Sequence, residues 1–163
     1  MNLSALSDAG FMIQLHVLCA VLSALLGPVA LLRRRRDRIH KTVGYVWVTA
    51  MALTALSSMF ILELRVIGPF SPIHILSVVT LVGLWQSIAQ IRLGNVKIHR
   101  RVMWRLYWQA IGIAGLFSFL PGRDMNAVFP GADPWMVFYS ACVVFIGVGV
   151  WVFAGFRRIP APV

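Results

Sequence analysis

Long apolar runs separated by short polar connections dominate the chain. A helix needs about 20 mostly apolar residues to cross a bilayer, at roughly 1.5 Å of rise each. Five windows meet that length: Phe11–Leu32, Val43–Leu64, Ile73–Ile91, Val102–Leu120 and Pro134–Phe156. The predicted fold is all-α, a polytopic membrane helix bundle of five transmembrane helices. Short connections predict antiparallel neighbours and a single integral membrane domain over residues 1–163. Asp37, Ser71, Asn95 and Asp133 stand where N-caps belong, and Pro72 and Pro134 then fall at the first helical position. Helices are expected to start near Arg38, Pro72, Val96 and Pro134. The longest connection, Pro121–Pro134, reads as an external loop.

Composition agrees with this pattern. Of 163 residues, 60% are hydrophobic and 12% charged, against about a quarter charged in soluble domains. The net charge of +10 does not indicate nucleic acid, because the basic residues sit in clusters between apolar runs. One cluster is Arg33, Arg34, Arg35, Arg36, Arg38 and Lys41; another is Arg92, Lys97, Arg100, Arg101 and Arg105; Arg157 and Arg158 close the chain. Only Arg65 and Arg123 fall on the alternate side. Basic residues favour the cytoplasmic side, so the N-terminus is expected outside and the C-terminus in the cytoplasm. No positive charge precedes the first apolar run, so that run is expected to be retained rather than cleaved as a signal. Cys19 and Cys142 lie inside apolar runs and read as small buried side chains.

The chain also resembles itself. Leu15-His16-Val17-Leu18 parallels Ile73-His74-Ile75-Leu76. Arg38-Ile39-His40-Lys41-Thr42-Val43 parallels Lys97-Ile98-His99-Arg100-Arg101-Val102. The paired histidines are 58 and 59 residues apart. Spans one and two are expected to repeat as spans three and four, giving two related helical hairpins plus one added helix.

These four histidines are the only ones in the chain. His16 and His74 belong at the outer level, His40 and His99 at the inner. Spans one and three, and two and four, lie diagonally in an up-down bundle. Each level therefore presents two imidazoles across the axis, as a bis-histidine haem requires. Haem b, one or two copies, is the expected cofactor, its iron held by His16 with His74 and by His40 with His99. Arg100, Arg101 and Arg105 are candidate partners for its propionates. Gly44, Gly83, Gly112 and Gly115 are candidates to leave room for a flat ring, or to serve ordinary helix packing. His40 and His99 suit headgroup anchoring as well as ligation. His16 lies deeper, where polar residues are costly and usually functional, although a hydrogen bond to a neighbouring helix is the alternative there.

Other polar groups, Gln86, Gln90, Thr49, Thr54, Ser57 and Ser58, read as bonds between helices. Tyr45, Trp47, Trp104, Tyr107, Trp108, Trp135 and Tyr139 read first as an interfacial belt. The sequence contains no nucleotide loop, no zinc-protease signature and no nucleophile beside a base.

Three motifs carry a family resemblance. They are Leu15-His16 with Gly27-Pro28, His40-Lys41-x-x-Gly44-Tyr45-Val46, and Gly94-Asn95-x-x-x-His99-Arg100-x-x-Met103-x-Arg105-x-Tyr107. Together they make the chain similar to the bacterial membrane family catalogued as domain of unknown function 2306, with Lys41 where arginine is more usual. The resemblance implies the inner membrane of a bacterium and transfers no activity. In architecture alone the histidine pattern looks like the cytochrome b561 class, which carries two b-type haems. Two functions follow as expectations. One is a haem-binding membrane protein moving electrons, with a quinone among its possible partners. The other is a non-enzymatic accessory subunit of a larger membrane complex, using the glycines of span five for close helix contact. Transport of an ion along the histidines ranks below both, for want of broken spans or a midplane acid.

Overall fold

The computed structural model describes residues 10–33, 35–61, 72–122, 126, 128–129 and 131–157. Among them every regular element is helical. The helices are α1 (Phe11–Leu32), α2 (Arg38–Ser58), α3 (Pro72–Arg92), α4 (Val96–Leu106), a π-helical segment (Tyr107–Ile113), α5 (Ala114–Ser118) and α6 (Pro134–Arg157). The chain divides into two compact units, one from Leu6 to Ala114 and one holding the chain from Gly115 onward. Among the described residues, Phe11–Leu32 and Ile73–Arg92 are long and apolar enough to cross a membrane. The basic first turn and the hydroxyls of α2 keep it below that mark, and α4, at 11 residues, is too short.

The helix starts follow local chemistry. The Asp37 carboxylate accepts the His40 amide at 2.9 Å, and Asp133 accepts those of Trp135 and Met136 at 2.9 and 3.0 Å. Each satisfies amides that a first helical turn leaves bare. Asn95 departs from expectation. Its side chain donates to Gln90 Oε1 at 2.7 Å and makes no cap bond; the left-handed Gly94, at φ 80°, makes this turn instead. Ser71 lies outside the described residues.

In the first unit α1 packs on α2, α2 on α3, α3 on α4, and α1 closes the ring against α4 and the π-helical segment. Diagonal partners are therefore α1 with α3 and α2 with α4. The polarity of this ring is inverted. On α3 the buried residues are His74, Ser77, Thr80, Leu84 and Ser87, while Ile75, Val78, Val79, Val82 and Trp85 are exposed. A helix in water buries the second set. Hydroxyls turned inward and branched apolar chains turned outward suit a lipid solvent.

The centre of this unit is organised by a proline. Pro28 lies inside α1 and has no N–H to give the Ala24 carbonyl one turn earlier. The Tyr107 hydroxyl donates to that carbonyl at 3.1 Å. The Trp47 indole N–H donates to the Ser23 carbonyl at 3.0 Å. Gly27 admits both rings: a Cβ there would sit 2.2 Å from Tyr107 Cε2 and 3.1 Å from Trp47 Nε1. The two rings lie 6.4 Å apart, and Leu31, Met51, Leu84, Met103 and Leu106 complete the cluster. Trp47 and Tyr107 are thus core residues, contrary to their expected place in an interfacial belt: Tyr107 gives the Ala24 carbonyl the donor that Pro28 lacks, and Trp47 adds a second donor at the Ser23 carbonyl. Tyr45, Trp135 and Tyr139 are exposed, as a belt requires.

Tyr107→Phe should cost about 1–2 kcal/mol by leaving the Ala24 carbonyl bare. In a Pro28→Ala background, where residue 28 regains an amide, the same change should cost less. A double-mutant cycle of detergent unfolding reads that coupling. Gly27→Ala should destabilise by about 1–3 kcal/mol by displacing the Tyr107 ring.

Candidate functional site

Each histidine is positioned by a neighbouring helix. His16 points from α1 to α2, its Nδ1 lying 3.0 Å from the Thr54 carbonyl and 3.2 Å from Ser57 Oγ. His99 points from α4 to α3, its Nδ1 lying 3.0 Å from the Ser87 carbonyl and 2.9 Å from Ser87 Oγ. The Ser87 hydroxyl also lies 3.2 Å from the His99 carbonyl, so this serine clasps its partner twice. A carbonyl only accepts, so Nδ1 carries a proton in both rings; in a neutral imidazole so held the lone pair is on Nε2.

His40 sits in the basic turn ahead of the predicted span Val43–Leu64. Its ring faces the Ala30 carbonyl of α1, and its Nδ1 is buried without a hydrogen-bond partner. Burial first, then the nearby His99, push its pKa below the usual imidazole range. The structure thus brings His40 and His99 within electrostatic reach from diagonal helices. In each hairpin the histidine that opens the second helix faces a carbonyl of the first, Ala30 for His40 and Ser87 for His99.

His74 is buried on α3, 5% exposed, one turn before Ser77. Ser77 Oγ bonds Ser58 Oγ across the α2–α3 contact. The half of the bundle that holds His16 and His74 is lined by small side chains: Cys19, Ser23, Ala55, Ser57, Ser58, Ser77 and Thr80 are buried there. Ser23 Oγ is buried without a hydrogen-bond partner. The middle of the bundle is filled by the Trp47–Tyr107 cluster instead.

The other candidates fall differently. At roughly 100° per residue, Arg101 and Arg105 lie on the face of α4 opposite His99, Met103 and Leu106. They are exposed, while Arg100 is half-buried between the two faces. The space beside Gly83 is taken by Leu106, whose Cδ2 lies 2.7 Å from where a Cβ would stand. Gly112 is buried, and nothing lies within 4 Å of a Cβ at Gly44 or Gly115. Among the described residues no group of three or more His, Cys, Asp or Glu side chains is placed to hold a metal ion. The sequence reading missed Ser87, and it missed the donors that Pro28 demands. Pro28 inside an apolar run was the available signal for the second.

The family described as predicted membrane protein (DUF2306) matches residues 13–153, nearly the whole chain. The chain belongs to this family. It is therefore a membrane protein, and the matched segment contains Gly27-Pro28, the four histidines and Tyr107. No curated protein and no solved structure matches the chain. The family supplies the membrane, and the residues must supply the chemistry.

In the basic turn between α1 and α2, Arg33 and Asp37 form a salt bridge one turn apart, with Arg33 Nε 2.9 Å from Asp37 Oδ1. The Arg33 guanidinium, then the His40 amide, hold the Asp37 carboxyl well below the usual carboxylate range. Its folded pKa is depressed, so its contribution is present above about pH 4 and fades as the pH falls below that. Asp37→Asn keeps an acceptor for the His40 amide and loses the charge, whereas Asp37→Ala loses both. Thermal unfolding in detergent at neutral pH should rank wild type above Asp37→Asn and Asp37→Asn above Asp37→Ala.

Proposed function

We propose that the chain is a small b-type haem protein of the bacterial cytoplasmic membrane that passes electrons across or within the bilayer. In this reading it spans the membrane five times, with its basic side in the cytoplasm. The observation that carries the proposal is the anchoring of His16. Its Nδ1–H is given to the Thr54 carbonyl, which fixes the ring and leaves Nε2 free to bind a metal. Metal-binding imidazoles are commonly held in this way, by a carbonyl on the far nitrogen.

His74 is the second ligand, on the diagonal helix and buried in the same outer half of the bundle. The small inward side chains at this level fit a flat ring better than the packed centre does. Bound haem supplies a one-electron couple whose potential depends on its axial imidazoles and on the surrounding dielectric. The protein's own residues do the rest. Thr54 and Ser57 orient His16, and the inward hydroxyls of Ser58, Ser77 and Thr80 set the polarity around it. Trp47, Tyr107, Leu84 and Leu106 exclude water from the centre. His40 and His99 make a second, inner pair, with the unpartnered His40 Nδ1 and the His99 Nε2 as its donors. Arg100 remains beside that pair for a propionate, while Arg101 and Arg105 face away.

The test is the absorption spectrum of protein purified from cells supplied with haem. A Soret band with split reduced bands is expected, and its absence under adequate haem supply overturns the proposal. His16→Ala should remove the outer haem while His99→Ala spares it. Thermal unfolding alongside separates loss of haem from loss of fold.

A further inference from the structure

The outward face of α4 carries a second recognisable surface. Lys97, Arg101 and Arg105 recur every four residues and form one row along the helix, all three exposed. The row spans roughly 12 Å at 1.5 Å per residue. Met103 and Leu106 on the opposite face are buried in the bundle, at 5% and 3% exposure. The row thus looks away from the protein interior. Ile98 is exposed beside it, at 44%, so apolar contact is available next to the charges.

Among the described residues no acid is paired with this row. The stretch from Arg92 to Arg105 contains no acid, and the stretch from Arg33 to Lys41 contains only Asp37. Asp37 is already engaged by Arg33. On a membrane protein, cations reaching about 13 Å up a helix from its start need a counter-charge within the headgroup layer. A zwitterionic lipid brings its own ammonium with each phosphate. Three aligned cations without an acid favour a lipid whose headgroup keeps net negative charge.

We propose that Lys97, Arg101 and Arg105 form a binding site for an anionic phospholipid, its phosphodiester lying along the row and its acyl chains beside Ile98. Arg101 and Arg105, whose guanidinium groups fit phosphate oxygens in pairs, set the position. Lys97 acts as a point charge at the outer edge.

The experiment uses the full chain, reconstituted in membranes of phosphatidylcholine and phosphatidylglycerol and released into mild detergent. Native mass spectrometry then counts the lipids retained. Wild type should be enriched in phosphatidylglycerol over the starting mixture. At low ionic strength each cation removed should weaken that retention about fivefold. The triple variant Lys97→Gln/Arg101→Gln/Arg105→Gln should therefore lose the enrichment. The control Arg35→Gln/Arg36→Gln/Arg38→Gln removes equal charge from the α1–α2 turn and should keep it. The proposal fails if the α4 triple variant retains the enrichment, or if the control loses it equally. It also fails if inorganic phosphate alone displaces the lipid at matched ionic strength, which would mark a site for free phosphate. Should the triple variant not fold, Arg101→Gln and Arg105→Gln singly carry the same comparison, each expected to show the fivefold loss.

Discussion

A carbonyl without a donor governs the middle of this protein. Pro28 removes one amide from α1 in a place where no water is at hand to replace it, and an exposed peptide oxygen in lipid costs several kcal/mol. Tyr107 meets that need from the fourth helix of the ring, and Trp47 meets the neighbouring oxygen from the second. Gly27 has no side chain because those rings occupy its place. Two helical segments, α2 and the π-helical one, are thereby fixed to one turn of α1. The apolar cluster around Trp47 and Tyr107 grows outward from these two bonds.

The same economy recurs at both ends of the bundle. Polar side chains that lipid would penalise are turned inward and given to carbonyls or hydroxyls of an adjacent helix, as with His16, Ser58 and His99. Such bonds are modest one by one. Collectively they specify which face of each helix looks inward, something apolar packing against apolar lipid cannot do. His16 and His99 each fasten a pair of neighbouring helices through Nδ1.

How much of this was legible in the sequence depended on how local the cause was. The caps at Asp37 and Asp133 were legible because donor and acceptor lie within three residues. The bounds of α1 and α6 were legible because a long apolar run has no competing reading. The cap assigned to Asn95 failed because Gln90, five residues back, offered its side chain a better acceptor. The partners of His16 and His99 are backbone carbonyls, which every residue possesses, so no residue type announces them. Tyr107 and Trp47 were read as interfacial because aromatic rings near a basic cluster usually are. Their buried role appears only once α1 and α4 are seen to touch. Similarly, Arg100, Arg101 and Arg105 form one basic motif in sequence, and only helical geometry separates the half-buried Arg100 from the two that face away.

The π-helical segment at Tyr107–Ile113 bears on how such a chain changes over generations. A π turn accommodates one residue more than an α turn, so it is structurally an insertion absorbed without breaking the helix. Within the segment, the extra residue shifts the angular positions of its later members relative to the basic turns before it. Gly112, near its end, therefore takes a face that the α-helical register of His99 would not give it. Loss of a single residue here would restore an ordinary helix and that register. The segment marks the place where a change in length, rather than in residue type, would alter what the protein presents inward.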